Sequence, residues 1–258
     1  MNVGIDVSLG QVAASLVLIA VAIAVSFWRR ADLEEDIAVA VVRSLIQLLA
    51  IGYVIQVIFD EDSLWLVLAL IVVMVVFGAY TARARATKVP GALGPLLVAL
   101  AVAAAATLGL VLALDIFDPK PQYLVPVGGM VIGNAMTAAA VALNRLGDDI
   151  EGSARQIEAT LALGASSAEA AAPIVRRSLR SGMITLVDST KTTGLIFFPG
   201  TMVGMLLAGA DPTDAVRLQL ILLWVLLGSV AISSVVATGL AYRGFFTPAH
   251  QLREPPAP

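Results

Sequence analysis

Seven stretches of this chain are each apolar over about the 20 residues that a helix needs to cross a bilayer. They run over residues 9–28, 37–59, 64–80, 94–114, 126–144, 183–208 and 216–242 of 258. No water-soluble globule carries that many, and with 59% hydrophobic residues, 14% charged residues and a mean hydropathy of +0.92 the solvent for most of the chain is lipid. The fold class that follows is all-α: a polytopic helical membrane protein of about seven spans, residues 1–258 forming one transmembrane domain. The first 28 residues lack the basic start and small-residue cleavage site of a secretory signal, which predicts a retained first span.

Orientation follows from the loops. If the N-terminus is outside, twelve of the sixteen basic residues fall on cytoplasmic segments, among them Arg29, Arg83, Lys88, Arg145, Arg176 and Arg243, against Lys120 and Arg217 outside. The C-terminus is then cytoplasmic and the membrane a plasma membrane, in a bacterium its cytoplasmic membrane. Basic residues are scattered and the net charge is −3, so nucleic acid is not an expected partner. There is no cysteine, and His250 is the only histidine. A thiolate or multi-histidine metal site is therefore excluded within one chain.

Most connections are short, and the exception is the segment 145–182. It reads as two helices: Asp148, Asp149 and Glu151 suit the N-terminal dipole of the first, and Gly164 supplies a left-handed residue to close it. Ser166 with Glu169 makes a capping box that opens the second. Ile150, Ile157 and Leu161 share a face, so the first helix is amphipathic and must pack against something. Glu158-Ala159, then Gly164, then Ile174 stand at the spacing of the E-A-A-x3-G-x9-I loop by which ABC-transporter permeases meet their ATP-binding subunit, with Thr160 in the third position. An ordinary surface hairpin lying on headgroups is the competing reading.

Asp188 and Lys191, three apart in the sixth span, share a helix face and can neutralise one another; charges at membrane depth face a bundle interior or an aqueous cavity. They either line a pathway, with Asp188 an oxygen ligand for a metal cation, or form a structural ion pair with Lys191 snorkelling. Pro199-Gly200 interrupts the same span and is read as a hinge or a static kink. In span five, Gly128, Gly129 and Gly133 permit close packing, and Asn134 is read as bonding across helices or touching cargo. Arg43 and Gln47 lie one turn apart near the inner surface, placed to reach headgroups.

No G-x-x-x-x-G-K-S/T occurs, and no HExxH or GxSxG, so neither ATP binding through a P-loop nor hydrolytic catalysis has visible apparatus. The chain is therefore not expected to be an enzyme, and no catalytic or cofactor-binding residue is assigned.

Taken together, GMVIGNAMTA (129–138), the 145–182 segment, the polar-then-apolar stretch 187–219 and the ending GFFTPAHQL (244–252) resemble the FetB family. That family consists of bacterial ABC permeases implicated in iron export, related to plant proteins of aluminium tolerance. This sequence departs from the family pattern at Thr185 and Thr190, where Pro and Met are frequent. The resemblance implies a permease homodimer with two copies of a separate ATP-binding subunit, which would hold ATP and Mg. Coupling would rest on Glu158, Ala159, Gly164 and Ile174, and the translocation pathway on Asn134, Asp188, Lys191, Pro199 and Gly200. Two other classes fit the residues: a membrane adaptor that recruits a cytoplasmic partner without transport, and a secondary transporter driven by protons through Asp188.

Overall fold

The computed structural model describes residues 8–61 and 63–253; residues 1–7, Asp62 and 254–258 of the stretch expected to form one domain lie outside the described residues. Among the described residues the chain is helical, with no strands: α1 (Leu9–Arg29), α2 (Glu34–Glu61), α3 (Leu64–Arg83), α4 (Leu93–Ala113), α5 (Pro121–Gly152), α6 (Ala154–Ala162), α7 (Ser167–Thr192), α8 (Gly200–Leu207) and α9 (Pro212–Ala241), followed by a 3₁₀ turn (Tyr242–Phe245). Six of these, α1 to α5 and α9, are long and apolar enough to cross a membrane. The protein is a polytopic helical membrane protein.

The core lies where α3, α4, α5, α7 and α9 meet. It is rich in alanine: Ala99, Ala103, Ala135, Ala139, Ala142 and Ala237 are all fully buried. Lipid tails offer no hydrophobic drive for helices to associate, so close approach of backbones over small side chains does much of the work. Gly78 of α3 packs beside Leu100, Ile132 and Met136, while Gly128 of α5 packs beside Ile71 and Leu108. These contacts make α3 and α5 parallel and α4 antiparallel to both. Thr107 lies beside Gly228 and Pro90 beside Gly244, so α9 is antiparallel to α4 and runs with α5. The α1–α2 hairpin is peripheral, with α2 joining the bundle through α5 and through Arg43, whose guanidinium lies 5.5 Å over the Phe77 ring.

The sixth apolar stretch, 183–208, is not one helix. Its beginning belongs to α7, which has risen without interruption from Ser167. Gly182 does not break it, because this glycine serves packing: a Cβ there would lie 2.7 Å from the Ala138 carbonyl oxygen. The helix ends at Thr192, and Gly194 turns the chain with φ +88, its N–H donating to the Phe197 carbonyl at 2.8 Å. The break thus begins at Thr193, six residues before Pro199, which serves as the N-cap of α8.

Contacts with α5 show that this broken segment still traverses the bundle. Arg177 meets Asp149, Gly182 meets Ala138 and Ala142, and the Thr201 hydroxyl lies 3.9 Å from the Met130 sulfur. From Asp149 to Met130 the axis of α5 advances about 28 Å, close to the hydrocarbon thickness of a bilayer.

The connection before it also differs from expectation. Asp148, Asp149 and Glu151 do not open a helix; they lie in the last turns of α5, which continues to Gly152. With no Pro or strong stop after Asn144, the helix simply carries on, and its acids are compensated by basic neighbours rather than by an N-terminal dipole.

Candidate functional site: a capped turn joined to a polar helix face

Where α5 gives way to α7, α6 buries Ile157 against the bundle and leaves Glu158 and Ala159 exposed. Gly164 (φ +93) closes it: its N–H donates to the Leu161 carbonyl at 2.9 Å and the Ala165 N–H to the Thr160 carbonyl at 3.3 Å. Leu163, at the apex, is 90% exposed. The capping box then forms as its residues require, with the Ser166 N–H donating to Glu169 Oε2 at 2.8 Å and the Glu169 N–H to Ser166 Oγ at 3.3 Å. The Ser166 backbone and hydroxyl hold the Glu169 carboxyl below its usual range. Of the four coupling candidates, Glu158, Ala159 and Gly164 gather at this exposed tip, whereas Ile174 is buried and anchors α7 to the core.

Ion pairs fasten the base of the turn. Lys88, from the loop between α3 and α4, bridges Asp148 at 2.9 Å and Glu151 at 2.8 Å, and these carboxylates, Glu151 first, hold its ammonium well above its ordinary pKa. Asp149 accepts from Arg145 and from Arg177 of α7, each at 3.0 Å. Lys88 was not legible as a site residue from sequence, since its partners lie some 60 residues away along the chain.

Further along, α7 presents two faces. Ala171, Ile174, Ser178 and Gly182 are buried, while Arg177, Arg180, Ile184, Asp188 and Lys191 are exposed at spacings of three and four. The Lys191 Nζ donates to Asp188 Oδ1 at 2.9 Å, with the two side chains 66% and 59% exposed. Asp188 lies about 9 Å beyond Gly182 along the axis, level with residues 132–136 of α5, near the middle of that helix's apolar stretch. On α5 the exposed positions Thr137, Val141, Asn144 and Asp148 continue from the half-buried Asn134.

Toward the α6 end of the bundle a cavity of about 380 Å³ opens between Asn144, Arg145 and Asp148 of α5, Ser181 of α7 and Arg85. Asn134 does not bond across helices: its amide donates to the Met130 carbonyl of its own helix at 2.9 Å. Gly133 faces open space rather than a neighbour, unlike Gly128 and Gly129. Among the described residues no three Asp, Glu or His side chains gather closely enough to hold a metal ion.

The model of a family described as uncharacterised protein family UPF0014 matches residues 9–246, which takes in both the turn and the polar face. The chain belongs to the UPF0014 family. Among its UPF0014 relatives, the protein of Oryza sativa subsp. japonica named UPF0014 membrane protein STAR2 is 38% identical over 242 residues, 93% of this chain and 85% of the relative. Protein ALUMINUM SENSITIVE 3 of Arabidopsis thaliana is 38% identical over 244 residues, 93% of this chain and 88% of its own length. A protein of Escherichia coli K12 named probable iron export permease protein FetB is 35% identical over 242 residues, 94% of this chain and 93% of that one. No solved structure matches this UPF0014 chain.

Proposed function

We propose that this chain is the membrane-spanning permease of an ABC transporter that exports a metal ion such as iron, driven by a separate ATP-binding subunit. One observation carries the reading: α7 is a single helix from the capped turn at Ser166 to the Asp188–Lys191 pair. A push on the turn therefore reaches the polar face through one stiff element of 26 residues. Closure of the ATP-binding subunits would tilt α6 and the base of α7, and the break over 193–199 gives the outer half freedom to follow. ATP and Mg stay on the partner; this chain supplies the lever and the pathway. Iron as cargo is supported by the name of the Escherichia coli relative.

The same exposure argues for a permease homodimer. Charged groups at mid-bilayer cannot remain against lipid, so the face bearing Asp188 and Lys191 belongs against a second copy or the water-filled path between two copies. The reading sets the protein in the bacterial cytoplasmic membrane with the N-terminus outside and the C-terminus in the cytoplasm. Asn134, Asp188, Lys191 and the Pro199-Gly200 start of α8 would border the path.

The test is co-purification with the cognate ATP-binding subunit followed by ATPase measurement. The proposal expects a stable complex whose ATP hydrolysis is lost in Gly164→Pro, because proline cannot adopt the positive φ on which the turn depends. Unchanged complex formation and hydrolysis in that variant would remove the coupling assignment.

A further inference from the structure

The ending GFFTPAHQL takes no part in the scheme above, yet it is firmly built onto the same end of the molecule. Phe245 and Phe246 are buried, and the chain after them turns back on itself. The Thr247 N–H donates to the Gln251 carbonyl at 2.8 Å, the Arg253 N–H to the Phe245 carbonyl at 2.8 Å, and Phe246 pairs antiparallel with Leu252. The apex of this hairpin reaches the first turn of α7. There His250 Nδ1 accepts from the Ser167 N–H at 3.2 Å and stands 3.0 Å from the Ser167 hydroxyl. An amide in the first turn of a helix has no partner within its own helix, so His250 supplies one at the foot of the lever.

Between hairpin and α6 lies a cavity of about 410 Å³, with Glu158, Leu161 and Ala165 on one wall and Ala249, His250 and Leu252 on the other. Beside it Leu163, at the apex of the turn, leaves its apolar side chain exposed. Glu158 makes no ion pair among the described residues. We infer that the hairpin is the second wall of a socket for the ATP-binding subunit, seating one segment of that subunit between α6 and residues 247–252. The occupant carries an apolar side chain for Leu161 and Leu163 and a basic one for Glu158. Continuity with the exposed tip of α6 argues for this partner, and an unpaired carboxylate in the cleft argues against an anionic headgroup. His250 is a positioning residue: it holds the α6–α7 turn at the distance the socket needs. The inference rests on the reading of the chain as an ABC permease.

The chain has no cysteine, so single cysteines report cleanly. Ala162→Cys and Ala249→Cys, both exposed, are labelled with a thiol-reactive fluorophore in the permease alone and in its complex with the co-purified ATP-binding subunit. The inference expects labelling of both to slow about tenfold or more in the complex. Protection of Ala162→Cys alone overturns the socket and leaves the ABC reading standing; protection of neither, in a complex that does form, removes the coupling assignment as well.

A second arm isolates His250, whose φ is +57. Asparagine tolerates that conformation and retains an acceptor near the Nδ1 position, whereas glycine keeps the conformation and loses the acceptor. His250→Asn should bind the ATP-binding subunit as the native chain does and His250→Gly about fivefold more weakly, the usual net worth of one hydrogen bond. Equal affinities would reduce His250 to a bystander.

Discussion

Gly182 sits where α5, α7 and α9 come closest. Its missing Cβ would fall 2.7 Å from the Ala138 carbonyl oxygen, 2.9 Å from the Ala142 Cβ and 3.0 Å from the Ser234 hydroxyl. Gly182→Ala must therefore separate helices rather than fill a gap, and overpacking of this kind costs about 1–3 kcal/mol. The expected result is a clearly lowered Tm in detergent, while Gly133→Ala, which meets nothing within 4 Å, leaves Tm unchanged or slightly raised. At the turn, Ser166→Ala removes a side-chain acceptor from the start of α7 and should cost about 1 kcal/mol locally, read as roughly fivefold faster amide exchange in the first turn of α7. The Ser166–Glu169 box was legible because its partners are three residues apart. Gly182 was not, since nothing in the sequence around it announces which backbone will approach. Asn134 was legible as a polar residue within span five but not in its bond, which its own helix satisfies.

The elements divide by how their apolar residues are arranged. Helices α1 to α5 and α9 follow from run length alone, because in lipid a long apolar segment has to be a helix that satisfies its own backbone. The α7–α8 segment does not, for half of the 26 residues of α7 carry charged or hydroxyl side chains. Proline at 199 drew the expected break too late; the chain stops being helical at Thr193, and the turn is made at Gly194. Gly194→Ala meets no neighbour within 4 Å but must hold φ +88, so its penalty is purely conformational, about 1–2 kcal/mol. Gly204→Ala, inside α8 at ordinary φ and equally uncrowded, should be neutral or stabilising. Thermal unfolding of the two variants side by side checks that the break is made at Gly194. The acids at 148–151 misled for a related reason: the dipole preference they suggest is worth only about 0.3–1 kcal/mol, too little to end α5, and the acids instead pair with Lys88, Arg145 and Arg177.

For the molecule as a whole, the bias of basic residues and the alternation of helix directions lead to the same arrangement, with the α6 turn and the C-terminal hairpin on one side and the α4–α5 and α8–α9 connections on the other. In the cysteine-free background, Asp118→Cys and Ala210→Cys should react with a membrane-impermeant thiol reagent in intact cells. Thr87→Cys and Ala162→Cys should react only after the membrane is opened. The reverse pattern would invert the topology and take the turn away from any cytoplasmic ATPase.

The central claim joins that turn to movement of cargo past Asp188, and it is tested most directly in proteoliposomes that contain the permease with its ATP-binding subunit. The measurement is ATP-dependent iron flux, native chain against Asp188→Asn. The account predicts flux that requires ATP in the native complex and falls at least tenfold in Asp188→Asn, while ATP hydrolysis and assembly persist. Iron flux at the native rate in that variant, or flux indifferent to ATP, would contradict it.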